Sequence, residues 1–429
     1  MRFFDGVISV NNITTLLFVV FAVLMTGYAL GRITIKGISL GDAGVFIVAL
    51  LFGALFFGVN DEGMLVFDAS SKPYDFSEGL KLVESLGLIL FVTSVGYIAG
   101  PKFFGNFKKN FKSYVLIALV IILAGGAAAA GCIGLGEVLG YGSSIEEQDG
   151  FVAMIVGLLS GSLTSTPAFS AAKATVAEQY EGLVSVGHGI AYIFGVIGVV
   201  LFIQIVPKLS KANMEEERAK LVVQEEGKKE AFSGKLFEFD HMGIAPFALA
   251  AIVGVFVGAV KIPLSGEGYS SLFSGNGVTG TCFSLTTTGG CLLVSLILGH
   301  FGRIGKVSIM PSTTTLKLFR ELGLVLFLVG AGIPGGAEFV ANFDIMYFVY
   351  GMIMTLIPML VGFIFAKYVL KLSLLNNLGA ITGGMTSTPA LGTLINTAGT
   401  EDVASAYAAT YPVSLISVVL VSQFLVILF

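Results

Sequence analysis

Charge is scarce in this chain. Asp, Glu, Lys and Arg make up 12% of its 429 residues, against about 25% in an ordinary soluble domain. With 55% hydrophobic residues and a mean hydropathy of +0.91, so little charge cannot cover a water-facing surface. Much of the chain must therefore face lipid. Cysteine is nearly absent as well. Cys132, Cys282 and Cys291 fall in or beside apolar stretches, with no CxxC pair and no Cys/His cluster. Neither a metal site, a disulfide framework nor a cofactor is expected. Met1–Val10 lacks the basic segment and small-residue cleavage site of a secretory leader. A net charge of −4 and a single long polar loop argue against nucleic acid as a partner.

Glycine, by contrast, is abundant, at 56 residues, well above the usual ~7%. In membranes, small residues let helices approach closely, and glycine also permits breaks in a helix. A spanning helix needs roughly 20 mostly apolar residues. The first half offers spans at about 13–31, 42–58, 79–99, 114–136 and 187–206, the second at about 243–261, 286–302, 317–335, 343–367 and 405–428. Two further apolar stretches, about 150–172 and 374–398, are interrupted near their middles by Gly, Ser, Thr and Pro. The polar segment 208–241 is too short for a folded domain and reads as a solvated linker, partly helical at most. It divides the chain into a membrane unit over 1–207 and a second over 242–429.

The two units repeat each other. SLGLILFVTSVGYIAG from Ser85 matches ELGLVLFLVGAGIPGG from Glu321, and GLLSGSLTSTPAF from Gly157 matches GAITGGMTSTPAL from Gly379. AYIFGVIGVVLFIQ, ending at Gln204, matches TYPVSLISVVLVSQ, ending at Gln423. Lys and Arg concentrate in cytoplasmic loops, and the basic clusters here are Arg32/Lys36, Lys102–Lys112, Lys208–Lys235, Arg303–Arg320 and Lys367/Lys371. With those inside and the acidic clusters Asp61–Glu78, Glu137–Asp149 and Glu178/Glu181 outside, the chain alternates from an outside N-terminus, provided that 150–172 enters and leaves on one face. The stretch 374–398 does the same from the other face. The expected fold is an all-α integral membrane protein of two inverted-topology repeats. Each has about five crossings and one re-entrant hairpin, and both termini lie outside. In such transporters the site lies at the repeat interface near the midplane.

The hairpins carry the candidate site. Thr164, Ser165, Thr166 and Pro167 form one Thr-Ser-Thr-Pro segment, and Thr386, Ser387, Thr388 and Pro389 the other. Proline lacks an N–H donor, and the preceding Gly161, Gly383 and Gly384 are expected to let the chain turn tightly. Broken helix ends favour carboxylates, while hydroxyls and carbonyls can also hold a cation, so the motif indicates a small polar or anionic solute. A proline-kinked helix uses the same residues, but two copies at matched positions weigh against that. Lys173 could neutralise a substrate carboxylate or could snorkel to the interface. Lys317 and Arg320 read as inside anchors, Gln204 and Gln423 as interhelical glue, His188 and His300 as structural, and Asp42 as a helix cap. The chain reads as a carrier, not an enzyme. A hydrolase with Ser165 as nucleophile and His188 as base lacks a comparable histidine in the second half.

The Leu-Gly-Leu segments, the run FSLTTTGGCLLVSLILGH from Phe283 and both Thr-Ser-Thr-Pro-Ala blocks resemble the aspartate:alanine exchanger family. The resemblance implies a bacterial inner-membrane antiporter, usually a homodimer, that exchanges small amino acids or dicarboxylates such as aspartate, alanine or succinate. It also implies alternating access with the hairpins in a moving, elevator-type domain. A sodium- or proton-coupled symporter of the same architecture is the rival. Typical members carry two regulatory domains in the central loop, where this chain has only the 208–241 linker.

Overall fold

The computed structural model describes residues 2–3, 8–9, 12–35, 38–39, 43–59, 65–67, 75–105, 111–141, 144–221, 237–263 and 282–429. The Asp42 cap and residues 222–236 of the linker lie outside them. The first half contains α1 (Asn12–Gly31), α2 (Ala43–Phe56), α3 (Ser77–Gly105), α4 (Phe111–Leu139), α5 (Ile145–Ser162), α6 (Thr166–Thr175) and α7 (Glu181–Leu209). A short α8 (Met214–Ala219) begins the linker. Then follow α9 (Ile244–Gly258), α10 (Thr286–Phe301), α11 (Thr313–Asn342), α12 (Ile345–Ile364), α13 (Leu374–Gly384), α14 (Thr388–Ala398) and α15 (Ala404–Leu428). Strands among the described residues are two-stranded ribbons before α1 or between helices, such as Phe57–Val59 with Leu65–Phe67.

Each expected span coincides with a helix, and seven of them are long and apolar enough to cross a membrane. Helices α2, α9 and α10, with 14, 15 and 16 residues, reach about 21–24 Å at 1.5 Å per residue, short of the ~30 Å hydrocarbon core. The chain is a multi-pass, all-helical membrane protein. Apolar side chains point outward along these helices, among them Phe21, Leu55, Leu123 and Phe256. In water that would be a defect; against lipid it is the expected exterior.

Inside, close approach replaces bulk. Helices α3 and α11, which carry the matched Leu-Gly-Leu blocks, cross at Gly87 and Gly323. A Cβ on Gly87 would stand 2.7 Å from the Gly323 carbonyl oxygen, and one on Gly323 would stand 2.6 Å from that of Gly87. Glycine is required at both positions, because any side chain would push the two backbones apart.

The helices sort charge to two ends. At one end Lys173 pairs with Glu84, Lys81 with Glu178, and the Tyr141 hydroxyl donates to Asp344 at 2.6 Å. At the other end lie Arg218, Lys220, Arg303, Lys306, Arg320 and Lys371. Helix α5 runs parallel to α7, since Gly157 packs on Val184 and Gly161 on His188. Helix α6 must therefore run back, and its Lys173 returns to the acidic end from which α5 started. By the same geometry α13 runs parallel to α15, with Gly379 on Val403 and Gly383 on Tyr407. Its partner α14 returns to the basic end, where Arg218 meets Ala398. Both interrupted stretches are helical hairpins, entered from opposite ends of the helix array.

Candidate functional site

The two hairpin tips have the same backbone. After α5, the Thr164 N–H donates to Gly161 O at 2.9 Å and the Ser165 N–H to Ser160 O at 2.9 Å. After α13, Thr386 N–H donates to Gly383 O at 3.1 Å and Ser387 N–H to Thr382 O at 3.0 Å. This is the helix-ending turn whose left-handed residue is usually glycine. Here it is threonine, with φ of 52° at Thr164 and 49° at Thr386. A β-branched residue in that region is an outlier costing on the order of 1–3 kcal/mol, and such strain gathers at functional sites.

The expectation that Gly161, Gly383 and Gly384 make the turn is therefore corrected. All three are helical and serve packing. A Cβ on Gly161 would meet Tyr192 N at 2.9 Å and one on Gly383 would meet Tyr407 O at 2.7 Å, while Gly384 packs against Ile121. The glycines bring α5 onto α7 and α13 onto α15, and the threonines turn the chain.

What holds the threonines is each other's hairpin. Thr164 Oγ1 donates to Met385 O at 3.1 Å, and Thr386 Oγ1 donates to Leu163 O at 2.8 Å. The tips thus meet inside the protein through a reciprocal pair of hydrogen bonds, both buried. Ser165 caps α6 by accepting from Ala168 N–H at 3.3 Å, with Pro167 in the first turn, where a missing N–H costs nothing. Ser387 is buried at the start of α14, with no hydrogen-bond partner for its hydroxyl among the described residues. Thr388 and Pro389 open α14; their side chains lie outside the described residues.

A cavity of about 630 Å³ begins at the tips and runs toward the basic end. Its lining includes Thr164, Ser165, Thr166, Pro167 and Thr386, together with Tyr192, Tyr407, Tyr411, Arg320 and Glu321. Five residues of the sequence-derived site are thereby brought together. Gly161, Gly383, Gly384, Ser387 and Lys173 stand outside the lining. The tyrosines and Arg320 are what the motif alone missed. Tyr192 and Tyr411 occupy the same position in the matched blocks AYIFG and TYPVS, and that coincidence is the signal that could have found them.

Immediately beyond the tips, toward the acidic end, aromatic side chains pack together; a second cavity of about 510 Å³ lies at that end, lined by Tyr141, Phe151 and Tyr347 among others. Phe169, three residues after Thr166, stacks on His188 with ring centroids 4.1 Å apart and planes at 7°. Phe46 and Phe327 close on Phe169 edge to face. His188 Nδ1 lies 2.8 Å from Ser160 Oγ, so its polar partner is Ser160, not Ser165. Lys173 is 6% exposed and bonds Glu84 at 2.9 Å, with Glu181 at 4.0 Å. Gln423 donates to Ser284 O at 2.9 Å, tying its helix to the Cys282–Ser284 strand. Lys317 is exposed.

Apolar helices long enough to span a membrane, two helical hairpins joined tip to tip and a cavity beside the tips fit one class: a multi-pass membrane transport protein. The sequence comparisons then place it. Residues 19–208 and 246–427 match the Asp-Al_Ex family model, described as a predicted permease membrane region, and the chain belongs to that family. It is similar to an uncharacterized transporter of Bacteroides thetaiotaomicron, 26% identical over 550 aligned positions that cover 95% of this chain and 97% of the relative. An uncharacterized transporter of Bacteroides fragilis is 25% identical over 563 positions (95% and 97%), and one of Rhodopirellula baltica 26% over 577 (95% and 98%). These alignments are longer than the 429 residues of this chain, so the relatives contain segments that it lacks.

Proposed function

We propose that the protein is a secondary transporter that exchanges small amino acids or dicarboxylates by alternating access, with the tip-to-tip junction as its substrate site. The observation that carries this reading is the reciprocal bonding of Thr164 and Thr386, which sets two hairpins from opposite ends against one cavity. In this reading, units 1–207 and 242–429 are inverted repeats, which is the arrangement whose site lies at the repeat interface. The cavity on the basic side and the aromatic packing on the acidic side make this the inward-facing form. A rigid movement of the hairpins that opened the packed side would close the other. Hydroxyls at the tips and the starts of α6 and α14 suit a carboxylate group. The basic end is then cytoplasmic, by the excess of Lys and Arg there, with both termini outside and a homodimer in the bacterial inner membrane.

The test is uptake of radiolabelled aspartate into liposomes containing the purified protein and preloaded with aspartate, alanine or succinate. Uptake that needs an internal counter-substrate and ignores sodium is expected. Uptake into empty vesicles driven by a sodium gradient would instead make the protein a symporter. Thr164→Val and Thr386→Val each remove one junction bond, worth about 1–3 kcal/mol for a buried group left unsatisfied. Each is expected to cut exchange at least tenfold while leaving expression intact. Wild-type exchange by both would remove the site assignment. For sidedness, single cysteines replacing Glu147 and Lys220 should react with impermeant reagents from opposite faces; labelling from one face would defeat the topology.

A further inference from the structure

Among the described residues lining the cavity, Arg320 is the one cation and Glu321 the one anion. Arg320 stands in the early turns of α11, and its helix neighbour Leu324, one turn on, lines the same wall. Its guanidinium is held only loosely by the protein. The contact to Glu321 is 3.7 Å, between side chains 41% and 63% exposed, and an exposed pair of that kind contributes little. The rest of the wall near it is tyrosine and aliphatic, with Tyr407, Tyr411 and Leu415. A cation at the edge of a low-dielectric cavity, with only a weak counter-ion, is poised to take a stronger one.

The other mouth of the molecule shows what such a position looks like when it is satisfied. One residue before each matched Leu-Gly-Leu block stands Glu84 on α3 and, one residue before the second block, Arg320 on α11. Glu84 is closed off by buried Lys173 at 2.9 Å. Among the described residues the only carboxylate that Arg320 meets is the exposed Glu321, and Arg320 faces the open cavity instead.

Resting on the transport reading above, we propose that Arg320 is the specificity-determining residue of the inward-facing site and binds a substrate carboxylate, displacing Glu321. The planar guanidinium can engage a carboxylate through two parallel hydrogen bonds, which a lysine cannot reproduce. An interfacial anchor would need only the positive charge, so the two roles separate on substitution. Glu321 acts as the placeholder that neutralises Arg320 while the cavity is empty.

The experiment measures half-saturation and maximal rate for aspartate, alanine and succinate in liposomes, with thermal stabilisation of the purified protein by each solute as a binding readout. Arg320→Gln is expected to raise half-saturation about 10- to 100-fold, the scale of a charge-assisted hydrogen bond, with a smaller change in maximal rate. Arg320→Lys should recover only part of that loss. Glu321→Gln should lower half-saturation, since it removes the competing carboxylate. Unchanged half-saturation in Arg320→Gln, or full recovery in Arg320→Lys, would reduce Arg320 to an anchor and overturn the proposal. A rise in half-saturation in Glu321→Gln would overturn the placeholder role. If wild-type protein neither transports nor is stabilised by any of the three solutes, the proposed substrate range fails and the role of Arg320 with it. If wild-type protein responds and Arg320→Gln is indistinguishable from it, only the substrate-binding role of Arg320 fails.

Discussion

The two hairpins have the same tips and different feet. At the tips, threonine turns the chain with φ near 50° in both, and each hydroxyl bonds the other hairpin's backbone. At the feet, the first hairpin is pinned to α3 by the buried Lys173–Glu84 pair. The second is pinned by the linker, where Glu217 accepts from Leu374 N–H at 2.9 Å and Arg218 donates to Ala398 O at 2.6 Å. The tips must be equivalent if both hairpins are to share one site. Under the proposed alternating access the feet need not be, because one at a time would yield. Symmetry is kept at the tips and dropped at the feet. The side filled with Phe169 and His188 is closed by an ion pair, whereas the side with the cavity has only weakly paired charge in its wall.

The sharpest way to break this comparison is at the acidic end. Removing one member of a buried pair leaves an uncompensated charge and costs about 3–5 kcal/mol, while removing both can be nearly neutral. Lys173→Met or Glu84→Gln alone should therefore loosen the first hairpin. Amide exchange over α6 is expected to rise by two orders of magnitude or more, with no comparable change over α14. The double variant should return exchange over α6 close to that of the original protein. If both single variants exchange like the original, the pair does not hold this end closed.

Much of the architecture was legible because lipid exposure writes itself as long apolar runs. Every expected span found a helix, and the described acidic and basic residues lie at opposite ends as the loop charges implied; much of Asp61–Glu78 and Lys208–Lys235 falls outside the described residues. The two Thr-Ser-Thr-Pro segments marked the hairpins because Ser and Thr in an apolar run need partners that a lipid-facing helix lacks. Three features were not legible. Glycine is the usual left-handed residue, so Gly161 and Gly383 drew the turn away from Thr164 and Thr386, whose strain is affordable only because of the cross-hairpin bonds. Arg320 looked like any basic residue at the cytoplasmic end of a span, since only tertiary packing decides whether such a residue meets a cavity or a headgroup. Lys173, expected to neutralise a substrate carboxylate or to snorkel, is instead buried against Glu84, which lies 89 residues away in the chain, and spacing alone gives no hint of the pair.

The smaller effect is expected at the other hairpin's feet, and it bears on the linker. Helix starts attract acidic side chains and helix ends basic ones, at about 0.3–1 kcal/mol each and up to ~2 in partly buried geometry. Glu217 sits at the start of α13 and Arg218 at the end of α14, so two consecutive linker residues clamp both feet of one hairpin. The family match breaks between residues 208 and 246, over this same linker. A six-residue helix, α8, thus ties the region where the family pattern lapses to the element that carries Thr386. Glu217→Ala with Arg218→Ala should raise amide exchange over 374–398 by roughly 3- to 30-fold, the scale of those two contacts, and leave 150–175 unaffected. Because the tips stay joined, transport should persist at a changed rate. Equal exchange in both hairpins of the double variant would mean that the feet are not held separately, and the contrast between a scaffold-pinned and a linker-pinned hairpin would fall.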